Sequence, residues 1–249
     1  MLITLGGKAG SGKGTIAKLL AEKIKYKTIS IGDMKRELAD TMGINIYDFN
    51  ILGDKQENAK EFDLKYEEYQ KSLQFNDKII LDSRLGFFAQ PKAFKVLLDV
   101  EEEIGSKRIL NAKRDTDKFS SPEEALEEVQ KRNLNDQKRY QKLYDINLRD
   151  HNNYNLVIDT SERRPDEVVD IILGEFKQRK LKKGIADTPE EEKAIYKAKN
   201  KKSLLKNIVL LLALLLIAGF WIITTISANK QGNTEQENIT NLPQETVAE

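Results

Sequence analysis

The segment Gly7-Lys8-Ala9-Gly10-Ser11-Gly12-Lys13-Gly14-Thr15 constrains this chain more than any other. It follows the apolar run Leu2-Ile-Thr-Leu5, which ends at Gly6-Gly7, and precedes residues 15–24, whose apolar positions recur at helical spacing. That is a strand, a glycine loop and a helix. Glycines let the backbone curl until successive amide N–H groups point inward, and the helix N-terminus adds its partial positive charge. A lysine at position 13 can then reach the outer phosphates of a bound anion.

The spacing from Gly7 to Lys13, in that strand and helix context, is that of a P-loop. A plain glycine turn with a chance lysine is the alternative, and it explains neither the spacing nor the flanks. Gly7, Gly10, Ser11, Gly12, Lys13, Gly14 and Thr15 are therefore the candidate contacts to a nucleoside triphosphate. The position after Lys13, usually a Ser or Thr that binds Mg²⁺, is Gly14, which moves the available hydroxyl to Thr15.

Composition narrows the chemistry. The chain has no Cys and one His, which excludes thiolate nucleophiles, Cys/His zinc sites and histidine triads. Its 41 Lys and Arg against 40 Asp and Glu leave a formal net charge of +1, so no nucleic-acid partner is expected and any anion must be bound locally. The remaining tools are Lys, Arg, carboxylates, hydroxyls and backbone amides.

Further strands are expected at 27–30, 78–82, 94–100 and 155–159, separated by charged helical stretches that include one opening at Ser121-Pro-Glu-Glu124 and one at 165–172. Such alternation predicts an α/β fold, a parallel sheet covered by helices. Asp82 ends an apolar strand beside the loop, where a carboxylate can hold the waters of Mg²⁺. A helix N-cap is its other reading.

Gly12-Lys13-Gly14-Thr15 resembles the loop of nucleoside monophosphate kinases. Ile29-Ser-Ile-Gly-Asp-Met-Lys-Arg36 looks like the stretch after their second strand. Ile79-Ile-Leu-Asp-Ser-Arg84 looks like the strand ending in Asp-Gly-Arg or Glu-Gly-Arg of cytidylate kinases, with Ser83 at the glycine position, whereas adenylate kinases usually show Asp-Gly-Phe-Pro-Arg. Together with 121–140, 142–149 and 155–161, these segments make residues 1–177 similar to archaeal-type short cytidylate kinases.

The resemblance implies a P-loop kinase fold with a small monophosphate-binding arm and a short lid, using ATP and Mg²⁺. It implies that Arg36 and Arg84 hold the acceptor phosphate, that Lys13, Arg132 and Arg139 are the catalytic cations, and that Thr15 and Asp82 serve the metal. The arm would include the charged run 57–71. The lid would span 115–120, with Lys113 and Arg114 at its start as further candidates. His151 reads as a loop residue, Asp33 as the cap of the helix opened by Gly32, and Asn238-Ile-Thr240 as a chance sequon.

No charged residue occurs from 207 to 229, and the run Ile208-Val-Leu-Leu-Leu-Ala-Leu-Leu-Leu-Ile-Ala-Gly-Phe-Trp-Ile-Ile223 is continuously apolar. At about 1.5 Å per residue, 208–226 is roughly as long as a hydrocarbon core is thick. The expected organisation is a kinase domain at 1–179, a basic helical linker at 180–206, a transmembrane helix at 207–229 and a disordered polar and acidic tail at 230–249. Within the linker, Thr188-Pro189-Glu190-Glu191 signals a helix start. Lysines crowd the N-terminal flank of the span, so the kinase domain is expected in the cytoplasm and the tail outside. The expected activity is ATP-dependent phosphorylation of CMP or dCMP by a membrane-tethered enzyme whose partners are small nucleotides and the membrane. Another acceptor such as AMP, or a non-catalytic nucleotide sensor linked to the membrane, are the alternatives.

Overall fold

Short apolar runs that can be buried on both faces are the material of a parallel sheet. The computed structural model describes residues 1–44, 49, 59–112, 119, 121–186 and 188–240. The chain divides into two compact units, Met1–Lys183 and Gly184–Glu249.

In the first unit, β1 (Ile3–Gly7), β2 (Lys27–Ser30), β3 (Ile79–Asp82), β4 (Phe94–Asp99) and β5 (Leu156–Asp159) form one sheet in the order β2-β3-β1-β4-β5. Every pair is parallel, with Leu5 of the central strand opposite Asp82 on one side and Val96 on the other. Helices α1 (Lys13–Ile24), α2 (Ile31–Thr41), α3 (Ala59–Ser72), α4 (Gly86–Ala89), α5 (Glu102–Asn111), α6 (Pro122–Tyr144) and α7 (Pro165–Lys183) connect or cover the strands. The chain leaves β1 toward β2 and β3, then crosses to β4 and β5. The C-terminal end of β1 is thus a topological switch point, where sheets of this kind bind ligands.

Several boundaries differ from the expected ones. The first strand runs on past Leu5, with Gly6 and Gly7 still in β1 opposite Leu97 and Leu98. Glycine is required at position 7, where φ is +145° and a Cβ would lie 2.1 Å from the Leu98 carbonyl oxygen. Asp33 does not cap α2. Ser30, still extended at the end of β2, accepts from the Asp33 amide at 3.1 Å, and the Asp33 carboxylate pairs with Arg36. The helix expected from 121 forms, with Ser121 as its cap, accepting from the Glu124 amide at 3.1 Å, and Pro122 in the first turn.

α7 runs past 179 to Lys183 and stops where Gly184 adopts a φ of +68°, a left-handed C-terminal conformation natural to glycine. The first unit therefore ends at 183. Of the expected arm, 59–72 is helical, while residues 45–48 and 50–58 lie outside the described residues. Lys113, Arg114 and the lid positions 115–118 and 120 also lie outside them.

The second unit contains α8 (Pro189–Thr240), opened by Thr188, whose Oγ1 accepts from the Glu191 amide at 3.2 Å. The helix continues through 230–240, a stretch expected to be disordered. No proline interrupts it before Pro243, and a single interior glycine such as Gly232 costs only about 1 kcal/mol. Residues 241–249 lie outside the described ones. Among the described residues no helix is long and apolar enough to cross a membrane. Within the expected span 208–226, side chains are described at 208–214, 216, 217 and 220.

Candidate active site

The loop after β1 is folded by its own bonds and by two distant elements. Lys13 Nζ donates to the carbonyls of Gly7 at 2.9 Å and Lys8 at 3.0 Å, and Ser11 Oγ donates to Lys8 O at 2.9 Å. Gly10 packs so closely on Gly105 of α5 that a Cβ would lie 2.3 Å from its carbonyl oxygen. Lys8 Nζ is 2.8 Å from Asp99 Oδ1 at the end of β4. The Ala9 amide donates to Asn133 Oδ1 of α6 at 3.1 Å, and the Ser11 carbonyl lies 3.3 Å from Thr160 Oγ1 just after β5. The loop is thereby fixed before any ligand contacts it.

In front of the loop lies a cavity of about 1400 Å³, larger than the roughly 300–1,000 Å³ of a pocket for one drug-sized ligand. Its wall contains Gly10, Ser11, Gly12, Lys13, Gly14 and Thr15, together with Arg36, Asp82, Arg84 and Arg132. Residues far apart in sequence are thus brought to one site. Gly7 and Arg139 are not among the lining residues. Gly7 lies behind the loop against a smaller cavity of about 220 Å³ that His151 also borders. Arg139 is buried, with its guanidinium carbon 5.8 Å from the Tyr140 ring centroid.

The charges in the wall act on one another. Lys13 is held down to about 8 chiefly by burial, with Asp82 opposing the shift and Arg84 and Arg132 adding to it. Burial raises Asp82 above the ordinary carboxylate range, an effect opposed first by Lys13. Both shifts express the same fact, that a cation and a carboxylate share a desolvated place at the ends of β1 and β3.

Asp82 and Thr15 suit Mg²⁺. Asp82 Oδ2 would lie 3.9 Å from a Cβ on Gly14, so the carboxylate stands beside the first turn of α1 that carries Thr15. Among the described residues no group of three or more His, Cys, Asp or Glu side chains could hold a metal. Mg²⁺ in phosphate sites needs no such cage, since it keeps several waters and takes one or two carboxylates plus phosphate oxygens. The donor set fits on that basis.

Sequence reasoning missed several residues of the wall. Asp136, buried, forms an ion pair with Arg84 Nη1 at 2.5 Å. Its signal was present, because Arg132, Asp136 and Tyr140 follow one another at four-residue spacing and all three line the cavity. Arg108 also lines it, held by Thr160 O at 2.6 Å and Ser161 O at 3.0 Å. Gln70, buried, donates through Nε2 to the Tyr66 carbonyl at 2.9 Å; because that carbonyl can only accept, Oε1 is left as an acceptor without a hydrogen-bond partner. Nothing in the local sequence marked Arg108 or Gln70, whose neighbours are ordinary helical residues.

Residues 2–162 match the cytidylate kinase-like family. The cytidylate kinase of Sulfolobus acidocaldarius is 34% identical over 184 residues, which cover 73% of this chain and 97% of that protein. The S-adenosylmethionine-dependent nucleotide dehydratase of Lacinutrix mariniflava is 33% identical over 181 residues, 71% of this chain, but that match spans 36% of the longer protein. Among solved structures, an uncharacterized protein from Eubacterium ventriosum has a TM-score of 0.50 at 16% identity, covering 70% of this chain and 96% of its own, a likeness of fold alone.

Proposed function

The chain belongs to the cytidylate kinase-like family and is a nucleoside monophosphate kinase, and we propose that it transfers the γ-phosphoryl group of ATP to CMP or dCMP while tethered to a membrane. The observation that carries the reaction is the meeting of Lys13, Arg84 and Arg132 with Asp82 in one cavity wall. A phosphate oxygen of the acceptor attacks the γ-phosphorus, the bond from that phosphorus to the β-phosphate oxygen breaks, and ADP leaves. Little covalent help is needed, so catalysis consists of positioning and neutralising charge. Lys13 and the loop amides hold the β- and γ-phosphates, Arg132 meets the charge on the moving group, and Arg36 and Arg84 hold the acceptor phosphate. Mg²⁺, when bound through Asp82 and Thr15, would neutralise the phosphate oxygens.

Two features support cytidine as the acceptor base. Asp82-Ser83-Arg84 is the cytidylate-type sequence at the end of β3, and the free acceptor of Gln70 suits a base with an exocyclic amine, which uracil lacks. Support for the tether comes from α8, where Val209, Leu216 and Phe220 are 60%, 75% and 71% exposed. So much exposed apolar surface marks an interaction with a membrane or a partner.

The test is phosphate transfer from ATP to CMP, dCMP, UMP, AMP and GMP by the unit Met1–Lys183, with fractionation of the full chain alongside. Preference for CMP or dCMP, and recovery of the full chain with membranes, are expected. Preference for AMP would remove the acceptor assignment, and no transfer to any acceptor would make the protein a sensor.

A further inference from the structure

Because all five strands are parallel, their N-terminal ends share one edge of the sheet, opposite the cavity. That edge is basic. Lys27 opens β2, Lys78 precedes β3, Lys92 and Lys95 flank the start of β4, and Arg179 and Lys183 lie in the last turns of α7. α7 reaches this edge, since Lys183 Nζ lies 5.4 Å from the ring centroid of Phe75, whose carbonyl accepts from the Leu2 amide just before β1. Lys27, Lys78, Lys92 and Lys183 are exposed.

The cations are crowded and unpaired. Burial first, and Arg179 second, lower the pKa of both Lys95 and Lys183. Arg179 Nε is buried without a hydrogen-bond partner, and among the described residues none of these six cations makes an ion pair. Asp77, the acid beside Lys78, accepts from the Gln74 amide at 2.8 Å and offsets only one of these six positive charges. A chain of net charge +1 has thus gathered unneutralised positive charge on one edge.

We propose that this edge of the kinase unit docks on an anionic lipid surface, leaving the nucleotide cavity at the opposite edge facing away from the bilayer. The charge favours any polyanion. Lipid is favoured over nucleic acid because the chain leaves this edge at Lys183, enters a Lys-rich linker and reaches the apolar run at Ile208. The choice of lipid rests on the tethered-kinase reading; the basic edge itself does not.

The unit Met1–Lys183 can be tested alone, because the relative from Sulfolobus acidocaldarius consists almost entirely of the matched region, 97% of its length. The fragment is sedimented with vesicles of phosphatidylcholine alone or mixed with phosphatidylglycerol, with and without salt high enough to shorten the screening length to about 3 Å. Binding to the anionic vesicles only, and its loss in salt, are expected. Lys27→Glu, Lys78→Glu, Lys92→Glu and Lys183→Glu should each weaken binding about fivefold or more, with turnover on CMP unchanged. Equal binding to neutral vesicles, no binding to anionic ones, or tighter binding to single-stranded RNA would overturn the proposal. If the fragment transfers phosphate but ignores anionic vesicles, docking falls and the kinase stands. If it binds vesicles without transferring phosphate, the kinase reading falls and docking stands.

Discussion

The Ala9 amide donates to Asn133 Oδ1 across 3.1 Å and 124 positions of sequence, so the phosphate-binding loop is bonded to the helix that carries Arg132. Asn133 is buried, and its Nδ2 donates to Glu102 Oε1 at 3.3 Å, which fixes the amide in one orientation. Asn133→Leu would bury the Ala9 N–H without an acceptor, at about 1–3 kcal/mol. The urea midpoint should fall and KM for ATP should rise more than KM for CMP. Asn133→Asp keeps the acceptor but sets a carboxylate against Glu102, so Asn133→Asp combined with Glu102→Gln, which can donate in return, should restore most of the ATP affinity. A lowered midpoint with both KM values unchanged would make the bond purely structural.

Lys13 gives a pH dependence of definite sign. Its ammonium form prevails below about 8, and the role proposed for it in holding phosphate requires that form. The value of kcat/KM for ATP should therefore decline as pH rises through about 8, and the profile for Lys13→Arg should stay flat there. The effect on stability runs the other way. Between about 8 and 10.5 the unfolded chain holds a proton at this lysine that the folded chain has lost, so stability rises with pH in that window. Lys13→Met should abolish the rise. Lys13→Ala should lower turnover by about 10² to 10³, the usual loss for a charged group aimed at a developing charge.

The loop and the parallel sheet were legible in glycine spacing and apolar runs, and Asp82 in the strand it ends, whereas Arg36 and Arg84 were reached through the resemblance to cytidylate kinases; all three line the cavity. What was not legible depends on packing between distant elements. The sequence of α6 marks Arg132 and Arg139 alike, yet the tertiary rotation of that helix brings Arg132 into the cavity wall and buries Arg139. Gly7 reads as the first glycine of the loop, but the requirement for it comes from Leu98, a residue of β4. The domain end at Gly184 depended on a single backbone angle, which charge composition could not reveal.

Arg84, proposed to hold the acceptor phosphate, is already paired with Asp136, and Arg36, proposed for the same role, is paired with Asp33. A guanidinium can keep one carboxylate while presenting its other N–H groups to phosphate, which a Lys cannot reproduce. Arg36→Lys and Arg84→Lys should raise KM for CMP about tenfold or more, the cost of roughly 1.4 kcal/mol, with little change for ATP. Steady-state kinetics with each nucleotide varied in turn checks this. An equal rise for both nucleotides would remove the acceptor assignment.

Arg132 and Arg139 should separate in experiment. Arg132→Ala should lower kcat with a small change in KM, as expected for an interaction strengthened in the transition state. Arg139→Ala removes a buried side chain stacked near Tyr140, so its main effect should be a lower urea midpoint. Turnover loss in Arg139→Ala at unchanged stability would show that α6 rotates during closure and delivers both arginines.

The proposed tether makes its own prediction about sidedness. Lys193, Lys197, Lys199, Lys201, Lys202 and Lys206 precede the apolar run, whereas Lys230 alone follows it closely. Short flanks rich in Lys are retained on the cytoplasmic side, which sets the kinase unit there with its nucleotides and the end of the chain outside. Protease added to intact cells should remove only a short C-terminal piece, detected as loss of a tag fused after Glu249, while a tag before Met1 stays attached to a nearly full-length product. Permeabilised cells should lose both. Digestion of the kinase unit in intact cells would reverse the orientation, and recovery of the full chain in the fraction free of membranes would remove the tether.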